Sequence, residues 1–194
     1  MEITNYNVYN LDNAIKASKY PMAIDPESKN EQITGTVRKL GSMDRGSGHD
    51  NFLHGILVSF DLTCSNKMWV EFQRYHFADI VSSQSTMHKL NKLLIKDCFN
   101  EYVIDETKRV VYKCWRQYNL DPTKENYLQL LYNIPSGIEL TAHIVTNYGQ
   151  LKTMWYQRHN HRLPEWRKFC DWILTLPHFS ELTGIEKENE YVNN

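Results

Sequence analysis

The chain has 194 residues, 41% hydrophobic and 23% charged, with a formal charge of −1 at neutral pH. That size suits one soluble globular domain with a core of its own, and the balanced charge excludes a general electrostatic nucleic-acid binder, which needs a strong basic excess. The apolar runs are too short for a membrane span, and residues 1–20 lack the basic start and apolar centre of a secretory signal.

Residues 2–10 alternate loosely around Ile3, Tyr6 and Val8, which predicts a strand, and Leu11 to Tyr20 follows as a helix with Asp12 or Asn13 near its start. Asp25 to Gly48 is rich in Gly, Ser, Asp and Lys and reads as a loop around a short ordered piece at Thr34–Leu40. His54 to Thr63 carries β-branched and aromatic residues in partial alternation and predicts a strand. Asn66 to Phe77 reads as a helix. Within Trp69–His88, apolar residues at Trp69, Val70, Phe72, Phe77, Ile80 and Val81 suggest a half-buried helix running into a hydroxyl-rich loop that lines a pocket. That segment also holds His76 between two aromatic residues, Arg74 close by, and Gln84 and Ser85 further on.

Helices are predicted from Thr86 through Leu94 and from Glu106 to Tyr118. Another is capped by Asp121, carries Pro122 in its first turn and stops at Pro135. Gly137 to Thr146 is rich in β-branched residues and predicts a strand; Leu151 to Tyr156 starts a further helix. Glu165 to Leu176 is the last helix, between Pro164 and Pro177. The chain after Phe179 is polar and acidic and is expected to fray, with the EKENE run solvated. The whole is α+β with helices dominant: one domain over residues 1–180 and a polar tail over 181–194.

The four cysteines form no CxxC pair, which favours free thiols of a cytosolic protein over a disulfide framework. Twelve tyrosines and five tryptophans suit flat ligands, dense cores and subunit interfaces alike; Trp115, Trp155, Trp166 and Trp172 are read as core or interface. His159 and His161, two apart, do not share a helix face, so no metal site is expected. The RHNHR stretch reads most simply as a solvated basic turn.

Several segments, in order, resemble the flavin-dependent thymidylate synthases, which methylate dUMP. AIKAS at Ala14–Ser18 is similar to that family's AARVS, and GHDNFLHGILVSFDL at Gly48–Leu62 to its GHxSxxEH segment and following strand. Met68–Ser85 resembles the family signature, a histidine between two arginines, seven residues, then serine; His76 and Ser85 fall on the histidine and serine. Ile134–Leu151 resembles a Leu-Pro strand followed by Asn-x-Arg, and Gln157–Trp166 the family's LR…AQW segment. The chain departs from the pattern at five arginines, replaced by Tyr75, Phe77, Met87, Leu131 and Gly149. In the family such arginines bind the FAD and dUMP phosphates, and neither tyrosine nor methionine supplies that charge. Arg74, Lys89, Lys92, Lys152 and Arg162 are the cations available to substitute.

The resemblance implies a flavin-dependent thymidylate synthase fold with FAD as cofactor, a pyrimidine deoxynucleotide as ligand, and NADPH and methylenetetrahydrofolate as co-substrates. It implies a homotetramer with active sites shared between subunits, in the cytoplasm of a bacterium or of a phage-infected host, and a divergent, phage-encoded member. Carried over residue by residue, Arg158 polarises the pyrimidine carbonyl, His76, Asn147 and, by a one-residue shift, His54 hold the cofactor, and Ser85, Gln84 and Arg74 bind the substrate. The alternatives are a core histidine at 76, a helix-capping serine at 85 and a turn asparagine at 147. For the whole chain, the alternative is a catalytically inactive homologue that serves as a nucleotide-binding or protein-interaction module.

Overall fold

In a computed structural model of the chain, which describes residues 1–94 and 97–186, four strands form one antiparallel sheet in the order β1-β2-β4-β3. They are β1 (Glu2–Tyr9), β2 (Leu57–Ser65), β3 (Asp79–Ser83) and β4 (Glu139–Asn147). The helices are α1 (Leu11–Ala17), α2 (Gly35–Ser42), α3 (Asn66–Phe72), α4 (Thr86–Leu93), α5 (Asp105–Leu120), α6 (Lys124–Tyr132), α7 (Tyr148–Arg158), α8 (Pro164–Ile173) and α9 (Phe179–Thr183). The mixed helix-and-sheet class is as the sequence predicts. The backbone divides into two compact units that both draw on the sheet strands.

The first unit comprises Met1–Thr4, Asp61–Tyr75 and Ile80–Ile144. Its core joins Leu90, Phe99, Val111, Leu130 and Ile138, with Trp115 and Tyr112 packed around them. Period-2 alternation buries Leu62 and Cys64 of β2 and Ala142 and Ile144 of β4. It leaves a half-exposed polar row on the other face, where Thr63 and Thr141 share a hydroxyl hydrogen bond of 2.7 Å across the strands. Ser65 caps α3 through the amide of Met68.

The second unit comprises Asn5–Phe60, His76–Asp79 and the chain from Val145 onward. Residues Tyr148 to Trp155 of α7 are all buried, so this helix has no solvated stripe and its sequence shows little helical periodicity. Lys152 on its buried face donates to the carbonyls of Gly41 and Met43 and to Asp50 Oδ2 at 2.9 Å. A side chain at Gly41 would run into the backbone of Leu182, which lets α2 and α9 approach closely.

Three sequence expectations are corrected. The helix expected over Asn66–Phe77 stops at Phe72, and the hydroxyl-rich stretch is the strand β3, exposed along its whole length. It is therefore an edge strand of the sheet. The cap of α6 is Thr123, whose hydroxyl accepts from the amide of Asn126, while Asp121 binds the Asn126 side chain. The chain beyond Phe179 forms α9 and buries Phe179, Leu182 and Ile185, because apolar residues at that spacing dock on the unit. The EKENE run lies, beyond Glu186, outside the described residues. The RHNHR stretch is a turn between α7 and α8 with Asn160 and Arg162 exposed; within it His159 stacks on Trp155 at 4.3 Å, and His161 Nδ1 accepts from the amide of Leu163. Cys64 and Cys170 are buried and Cys98 and Cys114 half-buried, all as free thiols. No helix among the described residues is long and apolar enough to cross a membrane.

Candidate functional site

Three separate segments of the second unit converge at the start of α7. Asn147, in extended backbone at the end of β4, caps the helix: its Oδ1 accepts from the amide of Gln150 at 2.8 Å. The same oxygen lies 3.2 Å from His54 Nδ1. His54 sits on the 3-10 turn Asn51–Gly55 and is exposed. Because Oδ1 is identified by the backbone amide that it accepts from, Nδ1 of His54 is the donor, and Nε2 of the neutral ring is left as an acceptor.

The ring of His54 occupies the space above Gly149. A Cβ there would lie 2.6 Å from His54 Cε1, so glycine is what admits the imidazole. Phe77 completes the group, with its ring centroid 6.3 Å from that of His54 and 63% of its surface exposed. Its backbone is held by Thr146, whose hydroxyl donates to the Phe77 carbonyl at 2.7 Å. Two of the positions that lack the arginines of the resemblance, 77 and 149, thus meet on one histidine. The sequence pointed to His54 and Asn147; their union with Phe77 and Gly149 had no signal in spacing.

Of the other expected residues, His76 directly precedes Phe77, Arg158 lies at the other end of α7, and Ser85, Gln84 and Arg74 belong to the first unit. His76 lies in the turn before β3 and is exposed, so it is not a core histidine. Arg158, half-buried at the far end of α7, sets its guanidinium 4.7 Å from the ring centroid of Trp166. The 11 residues of α7 place it about 16 Å along the helix axis from the Asn147 cap. Beneath it the Cys170 thiol is pushed up to about 12, chiefly by burial, with Asp171 raising it further and Arg158 opposing. One chain does not bring Arg158 to His54.

In the first unit, Ser85 occupies the N-cap position of α4, but its hydroxyl makes no capping bond. Gln84 extends the ladder of β3: its amide donates to the Thr141 carbonyl and its Oε1 accepts from the Thr141 amide, both at 2.9 Å. The carbonyl half of that side chain is therefore engaged by the sheet. Arg74 is exposed just beyond α3. Lys89 and Lys92 of α4 and Arg162 are exposed, whereas Lys152 is buried with its ammonium surrounded by three acceptors, which removes it from the candidates for phosphate.

A further pair lies outside every sequence expectation. His143 Nδ1 and Asp61 Oδ1 are 2.6 Å apart on facing strands, each about one-third exposed. Only the β2–β4 register brings them together, and position 143 reads from the sequence as an ordinary strand residue.

The fold is similar to that of the flavin-dependent thymidylate synthases. Two solved structures carry the likeness, both of the flavin-dependent thymidylate synthase ThyX from Helicobacter pylori with FAD and dUMP. One superposes with a TM-score of 0.72 at 14% identity, covering 94% of this chain and 97% of that one. The other gives 0.70 at 15% identity with the same coverage. No family model and no curated protein sequence matches the chain. At that identity the likeness establishes the fold.

Proposed function

We propose that the protein is a thymidylate synthase-like enzyme that transfers a one-carbon unit to a dUMP-like pyrimidine deoxynucleotide with the help of a flavin. The observation that carries this reading is the His54–Asn147 hydrogen bond: residues 93 apart in sequence form one oriented acceptor in a fold whose solved examples hold FAD and dUMP. A flavin bound there would supply hydride chemistry. The planar part of such a group fits the exposed ring of Phe77 and the free Nε2 of His54.

In this reading Arg158 donates to a carbonyl of the pyrimidine and draws electron density from the ring, while the Trp166 face keeps its guanidinium in place. His76 and Asn147 serve the flavin, and Ser85, with a hydroxyl not spent on capping, binds the nucleotide together with Arg74 and the free amide of Gln84. Since α7 separates Arg158 from Asn147 within one chain, the reading includes a homotetramer in which another copy completes the site. NADPH and methylenetetrahydrofolate are the co-substrates that such chemistry requires, and a divergent phage-encoded protein working in bacterial cytoplasm is the setting that it implies.

The reading is tested by conversion of dUMP to dTMP in the presence of flavin, NADPH and methylenetetrahydrofolate. We expect turnover in the native chain and its loss, by about tenfold to a hundredfold, in Arg158→Ala, since one charge-assisted contact of roughly 1.5–3 kcal/mol is removed where the chemistry needs it. An unchanged circular dichroism spectrum would show that the fold is spared. Full activity of Arg158→Ala overturns the assignment of that residue. A second reading, a binding module without turnover, is favoured by the buried Lys152–Asp50 pair and by the neutral side chains at 75 and 77. It is the outcome if flavin binds and no dTMP forms.

A further inference from the structure

After Glu106, helix α5 of the first unit carries Lys108, Arg109, Lys113 and Arg116 and no carboxylate. Its packed side is fixed from two directions. Val111 is buried, Trp115 Nε1 donates to the Asn91 carbonyl at 3.0 Å, and the Tyr118 ring meets that of Tyr127 at 5.5 Å. The outer side is thereby set, and it is basic. Arg109, Lys113 and Arg116, at i, i+4 and i+7, are exposed on one face and line a shallow groove together with Gln117 and Leu120. Other cations of the chain are drawn into ion pairs, as Lys16 is with Glu27, Lys67 with Glu71 and Lys108 with Asp97. Among the described residues Lys113 and Arg116 have no such partner. Arg109 meets Glu106 at 3.4 Å with both side chains exposed, and a pair of that kind contributes little.

We propose that this face of α5 binds the phosphate backbone of a nucleic acid. At about 1.5 Å of rise per residue the three cations span about 10 Å of helix, which is about three steps of one duplex strand at roughly 3.4 Å each. Two of the three are arginines, whose planar forks fit phosphate oxygens, and the Gln117 amide adds a neutral donor. An anionic membrane is the poorer match. Val110 and Leu120, the large apolar residues exposed on α5, stand about 15 Å apart along the helix and form no continuous apolar stripe. The chain as a whole has no basic excess, so the contact is confined to this face, is blind to sequence and weakens steeply with salt. It requires neither flavin nor turnover and is independent of the function proposed above.

The test is the fluorescence anisotropy of a labelled, mixed-sequence DNA duplex of about 20 base pairs, titrated with the full chain between about 50 and 200 mM salt. The expected result is binding at the low end, with log affinity falling against log salt at a slope of about −2 to −3, as three phosphate contacts require. Lys113→Glu combined with Arg116→Glu is expected to weaken binding by about tenfold or more and to flatten the slope to about −1. The neutral pair Lys113→Gln with Arg116→Gln, which keeps good helix formers on an exposed face, is expected to fall between that variant and the native chain. Lys39→Glu with Lys168→Glu changes net charge equally at exposed positions outside α5 and is expected to stay within about twofold of the native chain. A native chain that leaves the duplex unbound at low salt overturns the proposal, as does an α5 variant that binds like the native chain. A control that loses as much as the α5 variant also overturns it. Equal competition by polyglutamate, or sedimentation with phosphatidylserine vesicles at salt that releases the duplex, assigns the face to another anion and overturns it too.

Discussion

At Lys152 three acceptors surround an ammonium group buried in the middle of α7, and one of them is the equally buried Asp50. A lysine beside a candidate site reads from sequence as a ligand for phosphate; burial turns it into a strut between α7 and the segment that precedes the 3-10 turn of His54. Removing one partner of such a pair leaves the other charged and unsolvated, which costs about 3–5 kcal/mol. Lys152→Met should therefore lower the denaturant midpoint substantially, and the double change with Asp50→Leu should recover much of the loss. A single variant as stable as the native chain would show that the pair does not hold this region. His54 and Asn147 were legible because the resemblance names them. The seat of the imidazole over Gly149 was not, because it depends on distances between segments that share no sequence pattern.

The strands and long helices were legible as elements because their apolar residues recur at periods of 2 and 3.6. Boundaries and short elements were harder. α3 stops at Phe72 although apolar residues continue, and β3 shows no alternation because both of its faces are exposed. α9 was hidden by its short length and polar surroundings, yet Arg38 of α2 reaches across to Glu181, and His178 pairs with the same carboxylate at 2.8 Å. The Arg38 hydrogen bond, then that of His178, holds the Glu181 carboxyl below its ordinary value of 4.5. A depressed carboxyl adds stability above its ordinary value, and that share is lost as pH falls through the lowered one. Hydrogen exchange of the α9 amides should accelerate relative to α7 as pH drops below about 4, after correction for intrinsic rates. Equal protection at both pH values would show that Glu181 does not secure α9. Glu181→Gln should remove the pH response.

For the molecule as a whole, the resemblance of its motifs, in order, to a known family was enough to suggest the fold, and superposition over 94% of the chain agrees. The proposed function draws on two ends of α7, the cluster at Asn147 and the guanidinium at Arg158, which stand about 16 Å apart along the helix in one chain. Such separation is invisible to motif matching, which scores residues one at a time. The division of the sheet strands between two compact units was equally out of reach, since it reflects long-range packing and not local pattern. The measurement that reaches the central claim most directly is the absorbance spectrum of the full chain after loading with flavin and gel filtration. A yellow protein is expected, with flavin absorbance eluting with the protein peak. Colourless protein, with all flavin in the small-molecule fraction, would contradict it.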